Sequence, residues 1–483
     1  MELLLNNVGI IKDSSVLLDG LTVITGKNSS GKTTVGKVMY SLLSAGTKLE
    51  EAFEEARYSY VFSQLVIIER TLRIRRNRHM VFYTDGSFED ELDKVMTILA
   101  MHWFRNYDST QLVAFLMDVK NTIESLTAEE YVAYILRVKK KDYELDDPFL
   151  NGLFEHFPEW KRKALEICYI TLDLVSNEKS FLNFMKDRTF AFLNHEFNKQ
   201  IKPIRYQRKN AQIELRDKNR VIVKARVFSK NRIDFSSDST FMYPYDRCIF
   251  IDNPFVIDNL DKYDMLYHSM GGDSDKYDAE RIITSEDIKD REEILVDLLI
   301  NNEIKNYFDD LEIQKKFNNV FEQINKIVPG EFAKSTDGYY YIDEGARLSI
   351  KNLATGSKMF FIIKKLLLNG LIDDNTMLIL DEPESHLHPE WINMFAQILV
   401  FLVANVKVNV LLTTHSANLM LALNVFARKM NMLDKSHFYL AEKTEDGYFS
   451  RIRCIDDSIG EGYSHLSLPL IEMDLELDDM NEE

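Results

Sequence analysis

Apolar and polar positions follow three rhythms along this chain. Residues Glu2–Val8 and Ser15–Leu18 alternate, broken by Lys12-Asp13, and predict antiparallel strands that lead through Asp19-Gly20 into a third. Leu21-Thr-Val-Ile-Thr25 is a continuous run of buried-strand length, and Thr33 to Leu43 reads as a helix. Residues 49–60 are Glu-rich and helical in pattern, whereas Val66-Ile67-Ile68 and Met80-Val81-Phe82-Tyr83 read as strands around Arg70, Arg73, Arg75, Arg76 and Arg78.

From about 88 to 198 the rhythm changes to apolar residues three and four apart, as in Val95, Ile98, Leu99, Trp103 and in Leu112, Phe115, Leu116, Val119. Asp146-Asp147-Pro148 and Phe157-Pro158 interrupt this helical stack, and no heptad is sustained. Strands return over 199–258, most clearly at Ala211–Leu215, Val221–Phe228 and Cys248–Ile251, and helices over 259–328. Gly338 marks a hairpin turn followed by a second strand through Leu348. Two further apolar strands end in chemistry: Met377-Leu-Ile-Leu runs into Asp381-Glu382, and Val408–Thr414 runs into His415. The expected organisation is therefore a head N-lobe over 1–48, head β elements over 49–87, a helical insertion over 88–198, a β subdomain over 199–258, a head C-lobe over 259–450, and a C-terminal segment over 451–483. The fold class is α/β, a mixed sheet flanked by helices with an antiparallel β subdomain and the helical insertion.

Composition narrows the function. The 483 residues are 45% hydrophobic, enough for a packed core, and the formal net charge is −18. Such a charge disfavours a surface devoted to nucleic acid, since phosphates need positive potential. Eleven Lys and Arg residues nevertheless crowd Lys202–Arg232, offset there only by Glu214 and Asp217. That stretch offers either a local nucleic-acid face or a solvated sheet face balanced by acidic helices, and Arg70–Arg78 poses the same choice. Asp474–Glu483 reads as a solvated acidic tail. The three cysteines, Cys168, Cys248 and Cys454, have no metal-like spacing and fit a reducing cytoplasm, with Cys248 a buried small hydrophobe. The N-terminus lacks a basic signal-peptide region, and no run of 18 apolar residues appears, so no membrane partner is expected.

The decisive chemistry is Gly26-Lys27-Asn28-Ser29-Ser30-Gly31-Lys32-Thr33, a match to G-x-x-x-x-G-K-[ST] between a buried strand and a helix. Gly26 and Gly31 permit a backbone path that turns successive N–H groups, through Thr34, inward around phosphates. Lys32 reaches the β- and γ-phosphates of ATP, and the Thr33 hydroxyl ligates Mg²⁺. Asp381 is placed as the second Mg²⁺ anchor, and Glu382 can orient or deprotonate an attacking water. Ligand chemistry in such sheets collects at carboxyl ends of strands, so Thr25, Asp381 and His415 belong on one edge. His386 and His388 beside Glu384 form a metal-like pattern, but a structural role in a loop is the expected one. His102 and Trp103 are read as core or surface filler.

The order of these motifs resembles the ABC-type ATPases of the SMC, RecF and Rad50 class. It is most similar to bacterial antiphage ATPases of the overcoming-lysogenization-defect and Septu-like groups. Besides the phosphate loop, Leu353-Ala-Thr-Gly-Ser-Lys358 matches the signature motif, Leu380-Asp-Glu-Pro-Glu-Ser-His-Leu-His-Pro389 the Walker B and D-loop segment, and Thr414-His415-Ser416 the switch-histidine loop. The likeness covers roughly 1–48 and 240–450. It implies a homodimer in which each ATP lies between Lys32 of one chain and Leu353, Thr355, Gly356 and Ser357 of the other. Glu382 would then be the catalytic base, His415 the γ-phosphate contact, and Asn253, or failing that Gln64, the glutamine-lobe residue at the metal. The signature's usual serine is Ala354 here, its first glycine is Thr355, and the D-loop aspartate position is His388. Thr355 or Ser357 is left to supply the missing hydroxyl; without one, turnover is slow.

In the overcoming-lysogenization-defect group a Toprim nuclease domain follows the ATPase, but the stretch after His415 is too short for one. The Septu-like likeness instead implies a separate HNH endonuclease subunit, in some systems accompanied by a retron. The expectation is an antiviral-defence ATPase whose heads engage on ATP, with oligomers beyond the dimer left open. The alternatives are a DNA-repair ATPase acting directly on DNA, a non-hydrolysing ATP-gated scaffold, and a transporter's nucleotide-binding subunit. The insertion and the DEPE-x-HLHP form argue against the last.

Overall fold

The protein is described from a computed structural model covering residues 1–72, 107–139, 148–177, 179–204, 209–228, 232–263, 288–301, 307–335 and 338–482. The expectations for Arg73–Arg78, Met80–Tyr83, Val95–Trp103, Arg205, Arg208 and Lys230 lie outside the described residues. The chain divides into two compact units. The described residues of the first lie in Met1–Thr47, Met185–Ser274 and Ser285–Glu483, and those of the second in Lys48–Phe184.

In chain order the first unit opens with β1 (Glu2–Val8), β2 (Ile11–Leu17), β3 (Leu21–Gly26) and α1 (Lys32–Gly46). The second unit holds α2 (Leu49–Thr71), α3 (Ser109–Ser125), α4 (Ala128–Lys139), α5 (Pro148–Ser176) and the start of α6 (Lys179–Glu196). The first unit resumes with β4 (Ala211–Asp217), β5 (Arg220–Val227), β6 (Ile233–Phe235), β7 (Arg247–Ile251), α7 (Arg291–Ile300) and α8 (Tyr307–Ile324). There follow β8 (Glu331–Ser335), β9 (Gly338–Asp343), β10 (Ala346–Ser349), α9 (Thr355–Leu368), β11 (Thr376–Asp381) and α10 (Pro389–Phe401). The unit closes with β12 (Asn409–Thr414), α11 (Ala417–Lys429), β13 (Ser436–Lys443), β14 (Ser450–Cys454) and α12 (Ile459–Glu482).

One sheet of eleven strands, in the order β6-β5-β4-β1-β2-β14-β13-β3-β12-β11-β7, organises the first unit. From β13 to β7 every pairing is parallel, and β3, β11 and β12 read as nearly continuous apolar runs because both their faces are covered. From β6 to β2 the pairings are antiparallel and the burial alternates, as expected of a sheet wet on one face. The result is a mixed α/β head in which β3, β12 and β11 are neighbours running the same way. Its core joins strand residues such as Val23, Leu380 and Leu412 to Phe360, Phe395 and Leu399 from the helices. Pro389–Val406 is the one window among the described residues long and apolar enough to cross a membrane. Half of it is buried, and Phe395, Ala396 and Leu399 of it lie in the head core.

Several elements differ from the reading of the sequence. Val66–Ile68 is not a strand but part of α2, so the first half of the 49–87 segment is helix and belongs to the second unit. Val61, Leu65, Ile68 and Leu72 are buried there at helical spacing, a period longer than the three-residue run can display. The helical unit thus begins near Lys48 rather than 88. It ends near Phe184 rather than 198, because Arg188 on α6 donates to the carbonyls of Ala45 (2.9 Å) and Thr47 (3.2 Å) in the first unit. Its own core packs α2 against α3, α4 and α5, with the Tyr131 hydroxyl donating to the Leu72 carbonyl at 2.6 Å. β2 starts at Ile11 and runs through Lys12-Asp13, of which Lys12 is half-buried and Asp13 exposed. After Gly338 there are two strands instead of one, since Glu344 and Gly345, both at positive φ, turn the chain again. β14 crosses the expected boundary at 450 to pair with β13. Asp474–Glu482 continues α12 as helix, in keeping with the Leu, Glu and Met content of that stretch.

Candidate nucleotide site

The phosphate-binding loop forms because β3 ends in two glycines' worth of unusual backbone. Gly26 has φ 152°, and a Cβ there would stand 2.5 Å from the Ala441 carbonyl oxygen on neighbouring β13. Gly31 has φ 91° immediately before α1, and Ser29 is also left-handed at φ 60°. Lys27, Asn28 and Ser29 are exposed on the crest, while Ser30 is buried with a hydroxyl that has no partner. Lys32 is 4% exposed; its ammonium donates to the carbonyls of Gly26 (3.0 Å) and Lys27 (3.1 Å) and stands 3.4 Å from Glu382 Oε1. A cradle with this shape, an unpartnered hydroxyl and a buried cation at the N-terminus of a fifteen-residue helix fits a polyphosphate.

Parallel register brings the remaining groups to the same edge. Thr25 pairs with Thr414, and Asp381 with Thr413, so Asp381 and His415 emerge beside the loop. Thr33 Oγ1 donates to Asp381 at 2.9 Å, and Thr413 donates to the same carboxylate. Burial pushes the Asp381 carboxyl above its ordinary value; the two threonine hydroxyls pull it down, and the charges of Glu382 and Asp252 push it up again. Glu382 adopts φ 51°, and this left-handed turn carries its carboxylate back over the loop rather than away from it. One oxygen faces Lys32, and the other is 3.4 Å from His415 Nδ1. A hydroxyl plus a carboxylate is a hard-oxygen donor set that fits Mg²⁺ shared with phosphate oxygens. No group of three or more His, Cys, Asp or Glu side chains among the described residues could hold a metal ion.

The cavity over the loop, about 370 Å³, is lined by Ser29–Thr34, Glu382 and, on its far wall, Ile10, Phe197, Asn198 and Gln200. Leu353, Thr355, Gly356 and Ser357 do not line it. Thr355, Gly356 and Ser357 start α9 instead, where Ala354 is an N-cap without a side-chain bond, and Leu353 closes the turn before it. A Cβ on Gly356 would stand 2.9 Å from both the His386 carbonyl and the Trp391 ring, so the signature corner packs against the DEPE-x-HLHP segment. Of the two candidate hydroxyls, Thr355 is half-buried and Ser357 is buried.

Two assignments made from sequence do not fit. Asn253 spends its side-chain oxygen on the Phe255 N–H (2.9 Å), capping its own turn, and its amide on Glu292 (3.5 Å). Gln64 lies on α2 in the second unit and donates to Ser63. The residue at the edge is Asp252: Ile251 pairs with Leu380, so the next step in register sets Asp252 beside Asp381. Sequence could have shown this only with the β7–β11 pairing in hand. Asp252 is in turn held by Arg291 at 3.0 Å, which also bonds Glu196 at 3.1 Å. His386 packs edge-on against Phe255, and His388 Nδ1 accepts the Glu390 N–H, so neither is arranged for a metal. In the basic region Arg216 and Lys224 pair with Glu214, and Arg232 with Asp234, which leaves the face less positive than its composition.

A family model described as AAA ATPase domain matches residues 1–420. The chain belongs to this family. It is accordingly an ATPase, and the match spans both compact units. Among solved structures the chain is similar to the SMC head domain from Thermotoga maritima, with 10% identity and a TM-score of 0.32 over 94% of this chain and 97% of that one. No curated protein matches the chain.

Proposed function

We propose that this ATPase works as an engaged pair of heads that regulates a separate nuclease subunit in antiviral defence. The observation that carries the pairing is geometric. Lys32, Thr33 and Glu382 line one cavity, with Asp381 bonded to Thr33 and His415 beside Glu382, while Thr355, Gly356 and Ser357 stand outside it at a helix N-terminus with no side-chain cap. A second copy supplies that corner. Lys32 neutralises β- and γ-phosphate charge, Glu382 takes the proton of the attacking water, and His415 touches the γ-phosphate. Thr33 and Asp381 would hold Mg²⁺, which when bound offsets charge on the phosphate oxygens.

The nuclease, of the HNH type, is inferred from the likeness of the phosphate loop, the DEPE-x-HLHP segment and the Thr414-His415-Ser416 loop to Septu-like ATPases; Lys202–Arg232 is the candidate nucleic-acid face. The test uses Glu382→Gln with ATP and Mg²⁺ in light scattering. Doubling of the mass over the nucleotide-free protein is expected, and a monomer in that variant while the wild type hydrolyses ATP refutes head engagement. Native purification with mass spectrometry should co-recover a nuclease. A protein that binds DNA alone, and loses it on Lys224→Glu and Arg226→Glu, points instead to direct action on DNA.

A further inference from the structure

The carboxylate of Glu384 is the most enclosed acid near the site, at 5% exposure. It sits in the short turn Pro383–His386, directly after the acidic end of β11. Its Oε1 accepts the Thr414 hydroxyl and the backbone N–H of His415 (3.2 Å), and lies 3.7 Å from His415 Nδ1. Its Oε2 is buried with no partner. Isolated burial of a charged group is unfavourable, so a carboxylate kept there with one oxygen unmatched needs a reason beyond packing.

We propose that Glu384 is a positioning residue for ATP hydrolysis, fixing the loop and imidazole of His415 over the phosphates. The inference rests on reading His415 as the γ-phosphate contact. Nδ1 faces two carboxylates, Glu382 Oε2 at 3.4 Å and Glu384 Oε1 at 3.7 Å, either of which can accept from an Nδ1–H. Glu382 is one-third exposed on a turn, whereas Glu384 is walled in and already bonded to the His415 backbone. It is therefore the fixed member of the pair. A step in β11's turn is thereby transmitted to the end of β12 without passing through the phosphate loop.

Steady-state ATPase assays of His415→Ala, Glu384→Ala and the double variant decide the matter. Glu384→Ala is expected to lower kcat about tenfold or more while KM for ATP stays within about twofold, since the phosphate loop is untouched. The double variant should be no slower than His415→Ala, the non-additivity of residues acting as a unit. Glu384→Gln keeps an acceptor oxygen for both donors and should recover most of the lost kcat. Additive losses, or a loss confined to KM, overturn the proposal. A slow His415→Ala beside a full-rate Glu384→Ala overturns it alone, whereas wild-type kcat in His415→Ala overturns the reading of His415 as well. If the alanine variant does not fold, Thr414→Val takes its place in the same cycle, with a smaller loss expected and additivity again fatal.

Discussion

A lysine ammonium that is almost wholly enclosed must have its charge matched, and Lys32 has two carbonyls and one carboxylate around it. Phosphate oxygens would replace those partners with charge-assisted bonds, worth about 1.5–3 kcal/mol each. Lys32→Ala should therefore weaken ATP binding by about a hundredfold or more in calorimetry, and normal affinity would refute the loop as the site. Residues of this kind were legible in the sequence because motif spacing alone determines where they fall on a strand–loop–helix frame. Asp381 and His415 were legible for a related reason, since each ends an apolar strand. Asp252 was not, because its place depends on which strand lies beside β11, a pairing across more than a hundred residues. Asn253, one position on, has the polar amide that invites the assignment, but its carbonyl is consumed in a local cap.

Among elements, the junction of α6, α1 and α7 shows what pattern reading leaves out. Glu196 closes α6 with 6% exposure, facing Arg291 from α7, Lys37 from α1, His195 of its own helix and Asp252 beyond β7. Burial pushes its carboxyl above the ordinary value of 4.5, against the pull of Arg291, Lys37 and His195. A raised native value means that the folded state holds its proton longer than the unfolded chain. Stability from this group is full below the ordinary carboxylate range and is lost as pH climbs through the raised value. Glu196→Gln does not titrate, so its Tm relative to wild type should increase as pH rises through that window and then level off. A difference between the two proteins that stays flat with pH would show that Glu196 does not titrate abnormally. The alternation of β1 and β5 and the apolar runs of β3 and β12 were readable, because a single element carries its own signal. Val66–Ile68 was not, since three apolar residues fit both periods and only the partners at Val61 and Leu72 choose between them.

For the whole molecule the telling feature is that the corner at Thr355–Ser357 stands outside the cavity over the phosphate loop, and in the proposed function the two are halves of a site shared between copies. Gly356 is backed by His386 and Trp391, so Gly356→Val must push the start of α9 off that support while leaving the phosphate loop intact. The expected phenotype is near-normal ATP affinity with no ATP-driven pairing and little turnover. Lys32→Ala fails for the opposite reason, lacking the cradle but keeping the corner. If each site draws on two copies, a mixture of these two inactive proteins forms heterodimers in which one site has both defects and the other has none. ATPase activity should then reappear on mixing, reaching about a quarter of the wild-type rate for random pairing of equal amounts, because half the dimers carry one working site each. If hydrolysis needs both sites at once, mixing still restores ATP-dependent pairing, seen as a shift in mass. Should neither activity nor mass change at any ratio, the two halves do not meet across a symmetric pair, and a head acting alone must bind and split its nucleotide with the residues around Lys32, Asp381 and Glu382.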